Sequence, residues 1–249
     1  MTAESGTAAA ESVRATELSR ALAELTERIE SASRAAGRDP GETTLLPVTK
    51  FFPASDIEHL YALDRREFGE SREQEASAKA ADLQRLSGLR WHMIGRLQRN
   101  KAKSVARWAH AVHSVDSERL AAALDSGTAA AREAGQRDTP LRVLLQVSLD
   151  SDPTRGGVAP DDLPRLAEQV AQTEHLGLAG LMAIPPLDAD PEPAFARLAE
   201  LHARLRADHP EATELSAGMS GDLEIAIRHG STCVRVGTAL MGARPITSG

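Results

Sequence analysis

The sequence predicts an α/β fold, a single (β/α)8 TIM barrel, on three observations. Eight short apolar runs rich in Val, Ile and Leu recur along the chain, each of the length of a buried parallel strand. Between them lie Ala-, Glu-, Arg- and Leu-rich stretches with apolar residues three and four apart, so strand and helix alternate. A length of 249 residues suits one such barrel. A doubly wound sheet is the alternative, because the same alternation serves both, but no GxGxxG follows the first strand.

Taken in order, residues 1–15 hold Ala, Ser, Thr and Glu without a sustained apolar period. They read as a disordered tail ahead of a barrel domain over 16–249. ELSRALAELTERIESASRA (17–35) carries the spacing of an extra N-terminal helix. The strands follow as TLLPVTK (44–50), REFG (66–69), RWHMIG (90–95), AVHSV (111–115), LRVLLQVSL (141–149), LGLAGLMAI (176–184), TELSA (213–217) and STCVRVG (231–237). Helices fall at IEHLYAL, SREQEASAKAADLQRL (71–86), SERLAAALDSGTAAAREA (117–134), DDLPRLAEQVAQ (161–172), EPAFARLAELHARLRA (192–207) and GDLEIAI. Ser55, Asp56, Asp116, Ser117 and Ser220 stand at helix starts and are of the types that cap them.

Composition narrows the function. The chain has 29 basic and 36 acidic residues, a formal charge of −7, which argues against a nucleic-acid binder. No apolar run approaches the ~20 residues of a membrane span, and MTAESGTAAAESVR lacks the apolar stretch of a signal peptide. The single Cys233 excludes an intrachain disulfide or a CxxC metal site, so a cytoplasmic protein is expected. The histidines show no HExxH or other metal spacing. Only four of the basic residues are lysines: Lys50, Lys79, Lys101 and Lys103. Chemistry that needs an amine therefore has four candidates.

Reactive groups of such a barrel sit at the C-terminal ends of its strands. Lys50 ends the first strand, where partial desolvation and nearby cations favour the neutral, nucleophilic amine of Schiff-base chemistry. A snorkelling strand-end lysine is the plainer reading. Lys79 lies in an exposed helical pattern, and Lys101 and Lys103 in a basic stretch with Arg96, Arg99 and Arg107. LSAGMSGDLEIAI (215–227) runs from a strand through a Gly/Ser loop into a helix, with hydroxyls from Ser216 and Ser220. Gly237 and Thr238 make a second small-residue turn after the eighth strand. Loops in these two places are the recurrent phosphate site of the fold. Arg235 faces opposite to Val234 and Val236, towards either the barrel mouth or a helix-side ion pair. His92 is either a cofactor contact or a hydrogen-bonded barrel histidine. In GESREQE (69–75) the clustered carboxylates open a helix, where acids suit the dipole.

Together LLPVTK, FGESREQE, WHMIGRLQRNK, HSVD, GLMAIP and LSAGMSGDLEIAIRHGSTCVRVGTALMG resemble the pyridoxal phosphate homeostasis proteins, stand-alone relatives of the alanine racemase barrel. The resemblance runs over about 17–242 and implies a fold-type III barrel that binds pyridoxal 5′-phosphate (PLP). By it, Lys50 matches the lysine that forms the internal aldimine. Ser216, Ser220, Gly237 and Thr238 match the phosphate-binding positions, Arg235 matches the arginine facing the pyridine nitrogen, and Ser71 and Met219 join the cofactor site. The chain departs from the commonest pattern at Phe52, Ser71 and Arg155, where many members carry lysine, asparagine and lysine. The implied function is vitamin B6 homeostasis and cofactor supply to apo-enzymes, without established catalytic activity; the surface-helix patterns suit a monomer. A weak PLP-dependent amino-acid racemase or lyase with Lys50 as its only base is the alternative. Against a racemase, the only tyrosine, Tyr61, falls in an outer helix, and no second base is identifiable.

Overall fold

The computed structural model describes residues 2–150, 156–186 and 190–243. Its strands are β1 (Thr44–Pro47), β2 (Glu67–Glu70), β3 (Arg90–Met93), β4 (Ala109–Val115), β5 (Leu141–Gln146), β6 (Leu176–Met182), β7 (Glu214–Ser216) and β8 (Cys233–Val236). All pair in parallel in the order β1-β8-β7-β6-β5-β4-β3-β2. A bridge between Val48 and Gly69, with Thr49 N–H donating to the Gly69 carbonyl at 3.1 Å, brings β1 against β2 and closes the barrel. The expected (β/α)8 barrel is the observed fold.

Alternation decides which side chains face inward. Leu45, Val234 and Val236 belong to a cluster packed under the outer helices, while their neighbours Leu46 and Arg235 pair across β1 and β8 on the inner side. Leu144, Ala179 and Met182 form a separate small inner cluster. Arg235, for which pattern left two directions open, thus points into the barrel.

The helices are α1 (Thr2–Ala35), α2 (Ala54–Ala62), α3 (Glu73–Asp82), α4 (Ala102–Trp108), α5 (Glu118–Glu133), α6 (Leu163–Ala171), α7 (Pro191–Asp208), α8 (Leu223–Arg228) and α9 (Thr238–Met241). No helix among the described residues is long and apolar enough to cross a membrane. Leu18, Leu22, Leu25 and Ile29 put one apolar stripe of α1 against the cluster that includes Ile57, Leu60, Leu240 and Met241. The helix starts earlier than composition suggested and runs through residues read as a tail. Arg14 shows why: its guanidinium donates to the buried Asp56 carboxylate at 2.7 Å and to the Met241 carbonyl at 3.0 Å.

The expected caps are redistributed. Ser55 and Asp56 lie inside the first turn of α2, whose N-cap is Pro53. Ser117 is the N-cap of α5 but makes no side-chain cap bond. At α8 the N-cap is Asp222 rather than Ser220, and its carboxylate accepts from Met219 N–H at 2.6 Å.

Candidate functional site

Lys50 follows β1 in a loop held on both sides. Its predecessor Thr49 donates its hydroxyl to Glu70 at 2.6 Å, and the Thr49 carbonyl accepts from Lys79 Nζ at 2.9 Å. Its successor Phe51 takes a left-handed φ of 70°, costly for a bulky residue, and donates its N–H to Glu75 at 2.6 Å. Lys79 Nζ also reaches Glu70 at 2.8 Å and Glu75 at 2.9 Å. Lys79 is therefore buried, not exposed as its helical pattern suggested, and the GESREQE carboxylates do more than favour a helix dipole. Burial pushes the Glu70 carboxyl up, against the pull of Lys79.

The other predicted residues gather at the same end of the barrel. Ser71 follows β2, half-buried, and Gly95 leaves room for its backbone, since a Cβ there would collide with the Ser71 carbonyl. Ser216 ends β7 and is fully buried. Met219 and Ser220 sit half-buried in the loop to α8, whose Gly218 at φ +92° has no space for a side chain against Ala226. The Ser220 hydroxyl lies at 3.4 Å from Ala239 N–H, so the loops after β7 and β8 meet. Gly237 and exposed Thr238 open α9, and a Cβ on Gly237 would stand 3.6 Å from Val48, two residues before Lys50. Arg155 lies outside the described residues.

Beneath the mouth runs a polar chain through the barrel. Arg235 Nη1 donates to Ser216 Oγ at 2.8 Å and Nη2 to the Ala183 carbonyl at 3.0 Å. Ser216 Oγ meets His113 Nδ1 at 2.9 Å, and His113 Nε2 meets His92 Nδ1 at 2.9 Å. His92 Nε2 is 3.4 Å from the Glu67 carboxylate, longer than a good hydrogen bond. The ends of this chain set its tautomers. A guanidinium only donates and a carboxylate only accepts. For neutral rings, the carboxylate selects Nε2–H on His92, hence Nε2–H on His113, and Ser216 donates to His113 Nδ1. Burial, with the neighbouring Arg235 charge, keeps His113 well below the usual imidazole range. His92, with help from Arg90, holds Glu67 down at about 2. His92 is thus a hydrogen-bonded barrel histidine.

Sequence reasoning did not single out Lys79, Glu75 or His113 as parts of this region. Their partners come from other strands and loops, His113 and Ser216 being 103 residues apart. The constellation offers an amine, two small-residue loops with hydroxyls and N–H groups, and a buried guanidinium. Such a set can hold a phosphorylated aldehyde. Tyr61, on α2, donates its hydroxyl to the Ser87 carbonyl at 3.0 Å on the outside of the barrel.

Comparison with known proteins bears on the same point. The family model of the alanine racemase N-terminal domain matches residues 21–245. The pyridoxal phosphate homeostasis protein of Mycobacterium tuberculosis is 56% identical over 247 residues, covering 94% of this chain and 96% of that protein. Among solved structures, PipY of Synechococcus elongatus with PLP bound superposes with a TM-score of 0.75 at 38% identity, over 87% of this chain and 99% of that one. Alanine racemase from Corynebacterium glutamicum shares the fold, with a TM-score of 0.62 at 16% identity over 90% of this chain and 61% of that one.

Proposed function

Because the chain belongs to the pyridoxal phosphate homeostasis protein family, on the barrel of the alanine racemase N-terminal domain, we propose that it binds pyridoxal 5′-phosphate at the barrel mouth. There it holds the cofactor on Lys50 and serves vitamin B6 homeostasis by supplying it to apo-enzymes. One observation supports this reading: Val48, two residues before Lys50, lies 3.6 Å from where a Cβ on Gly237 would stand, and the Ser220 hydroxyl reaches the Ala239 N–H at the same turn. Bound there, PLP brings an aldehyde that condenses with an amine and releases water.

The residues present suit that group. Ser220, Gly237 and Thr238 offer hydroxyls and backbone N–H groups to a phosphate, while Ser216, whose hydroxyl is taken by His113 and Arg235, and Met219, whose N–H is taken by Asp222, shape the loop around it. The Ala239 N–H, whose bond to Ser220 is long at 3.4 Å, is available to an anion. Ser71 borders the same mouth. Arg235 spends two N–H groups on Ser216 and Ala183 and keeps others for the pyridine nitrogen. A guanidinium there, a donor that cannot give up its proton, would keep that nitrogen unprotonated and the ring a poor electron sink. This favours holding the cofactor over carbanion chemistry.

A two-base racemase also needs a proton donor on each face of the cofactor, and Tyr61 points away from the mouth. We therefore read the protein as a carrier without catalytic turnover. We place it in the cytoplasm as a monomer, with apo-PLP enzymes as partners. Mass spectrometry after borohydride reduction tests the reading. One pyridoxyl group is expected on Lys50, with none in Lys50→Ala, and cofactor trapped on another lysine in that variant overturns the assignment. Incubation with D- and L-amino acids in deuterated water should give no appreciable α-proton exchange. Robust exchange would move the chain to the racemases and lyases.

A further inference from the structure

Beside the mouth lies a cleft of about 1040 Å³, walled by the starts of α3 and α5 and by the loop between β3 and α4. Its charge runs against that of the whole chain. Among the described residues, five cations, Arg72, Arg96, Arg99, Lys101 and Arg119, line it against Glu73 and Asp116, whereas the protein carries −7 overall. Two of the five are engaged: Lys101 Nζ lies 3.3 Å from Glu73, and Arg72 stacks over the Phe51 ring at 4.8 Å. Arg96, Arg99 and Arg119 are exposed and make no ion pair among the described residues. They belong to two different walls.

We propose that this cleft docks an acidic peptide segment of a protein partner. Three features select that occupant. The volume is far larger than one phosphate needs. No aromatic side chain among the described residues lines the walls, so a nucleobase or a second pyridine ring finds no stacking platform there. The arginines are spread along the cleft and suit a run of carboxylates, each met by a planar fork of donors. An acidic partner is repelled by most of this acidic surface and drawn to this one region, which orients the encounter. Ser71 lines both cleft and mouth, so a docked segment lies next to the cofactor site. That the partner is a cofactor recipient rests on the function proposed above; the charge of the segment does not.

Fluorescence anisotropy of a fluorescein-labelled oligoglutamate peptide titrated with the full chain tests this. Saturable binding that weakens with added salt is expected. It should fall roughly tenfold or more in Arg96→Glu/Arg99→Glu/Arg119→Glu, for three lost exposed charge contacts. Arg197→Glu/Arg204→Glu/Arg206→Glu on the distant α7 changes the net charge equally and should leave binding intact. No saturable binding, equal loss in both triple variants, or tight binding of tripolyphosphate with none of the peptide each overturns the proposal. PLP loading, read by borohydride trapping on Lys50, should be retained in both variants. If the unmutated chain does not load, the cofactor reading fails while the peptide titration still decides this one.

Discussion

Either side of Lys50 the backbone is pinned by α3: Lys79 takes the Thr49 carbonyl, and Glu75 takes the Phe51 N–H. The left-handed Phe51 persists because these bonds over-determine it. Lys79→Met keeps most of the volume but leaves Glu70 and Glu75 facing each other without their cation. A loss of about 3–5 kcal/mol in urea denaturation is expected. Burial already favours the protonated Glu70, so the variant should regain stability as pH falls and the folded state takes up that proton. Adding Glu70→Gln should recover part of the loss at neutral pH. Equal stability of Lys79→Met and the parent at pH 7 would show that the brace carries no weight. The positions of Lys50 and the two small-residue loops were legible because strand ends and Gly/Ser turns are local signals, whereas the direction of Arg235 was not. Lys79 was not. The helix around it is polar on nearly every face, and the carbonyl that holds it comes from 30 residues away.

Among the elements, α1 shows how a distant contact overrides composition. Residues before Thr16 have no apolar stripe, yet Arg14 fastens the helix to α2 through Asp56 and to the end of α9 through Met241. Thr238 opens that same α9, so the helix supports one wall of the proposed phosphate site. Arg14→Ala leaves the buried Asp56 carboxylate without its main partner and should cost about 1–3 kcal/mol by chemical denaturation. A truncation lacking residues 1–15 should lose at least as much, whereas removing a disordered tail would cost nothing. Along the ordered stripe, Leu22→Ala should cost about 2–4 kcal/mol. The extent of this helix was the part of the architecture that periodicity described least well.

For the molecule as a whole, the alternation of apolar runs and amphipathic stretches was enough to reach the barrel, because parallel strands buried on both faces leave a strong signal. What fills the barrel was not legible. The order in which eight strands bring His92, His113, Ser216 and Arg235 together is a property of closure. Burial of histidines in the barrel and under α7 also sets the response to acid. His113 is held well below 6.5, His110 at about 4, and His202 below its usual value, each mainly by burial. The unfolded chain therefore binds more protons in acid than the folded one. Stability is complete above pH 6.5 and is lost as pH falls from there towards the folded-state values. His113 alone contributes about 1.4 kcal/mol per pH unit in that window, and the partly solvated His110 and His202 add less. Melting temperatures measured from pH 8 to 5 should be level and then decline. A flat profile would mean that these rings are charged in the fold.

Lys79, like Lys50, stands near the barrel mouth, yet its amine is closed to electrophiles. An ammonium has three N–H groups, and Lys79 has committed each one, to Thr49, Glu70 and Glu75. It presents no lone pair to an electrophile. Under the proposed function Lys79 therefore does not compete for the aldehyde, and borohydride trapping should find no pyridoxyl group on it.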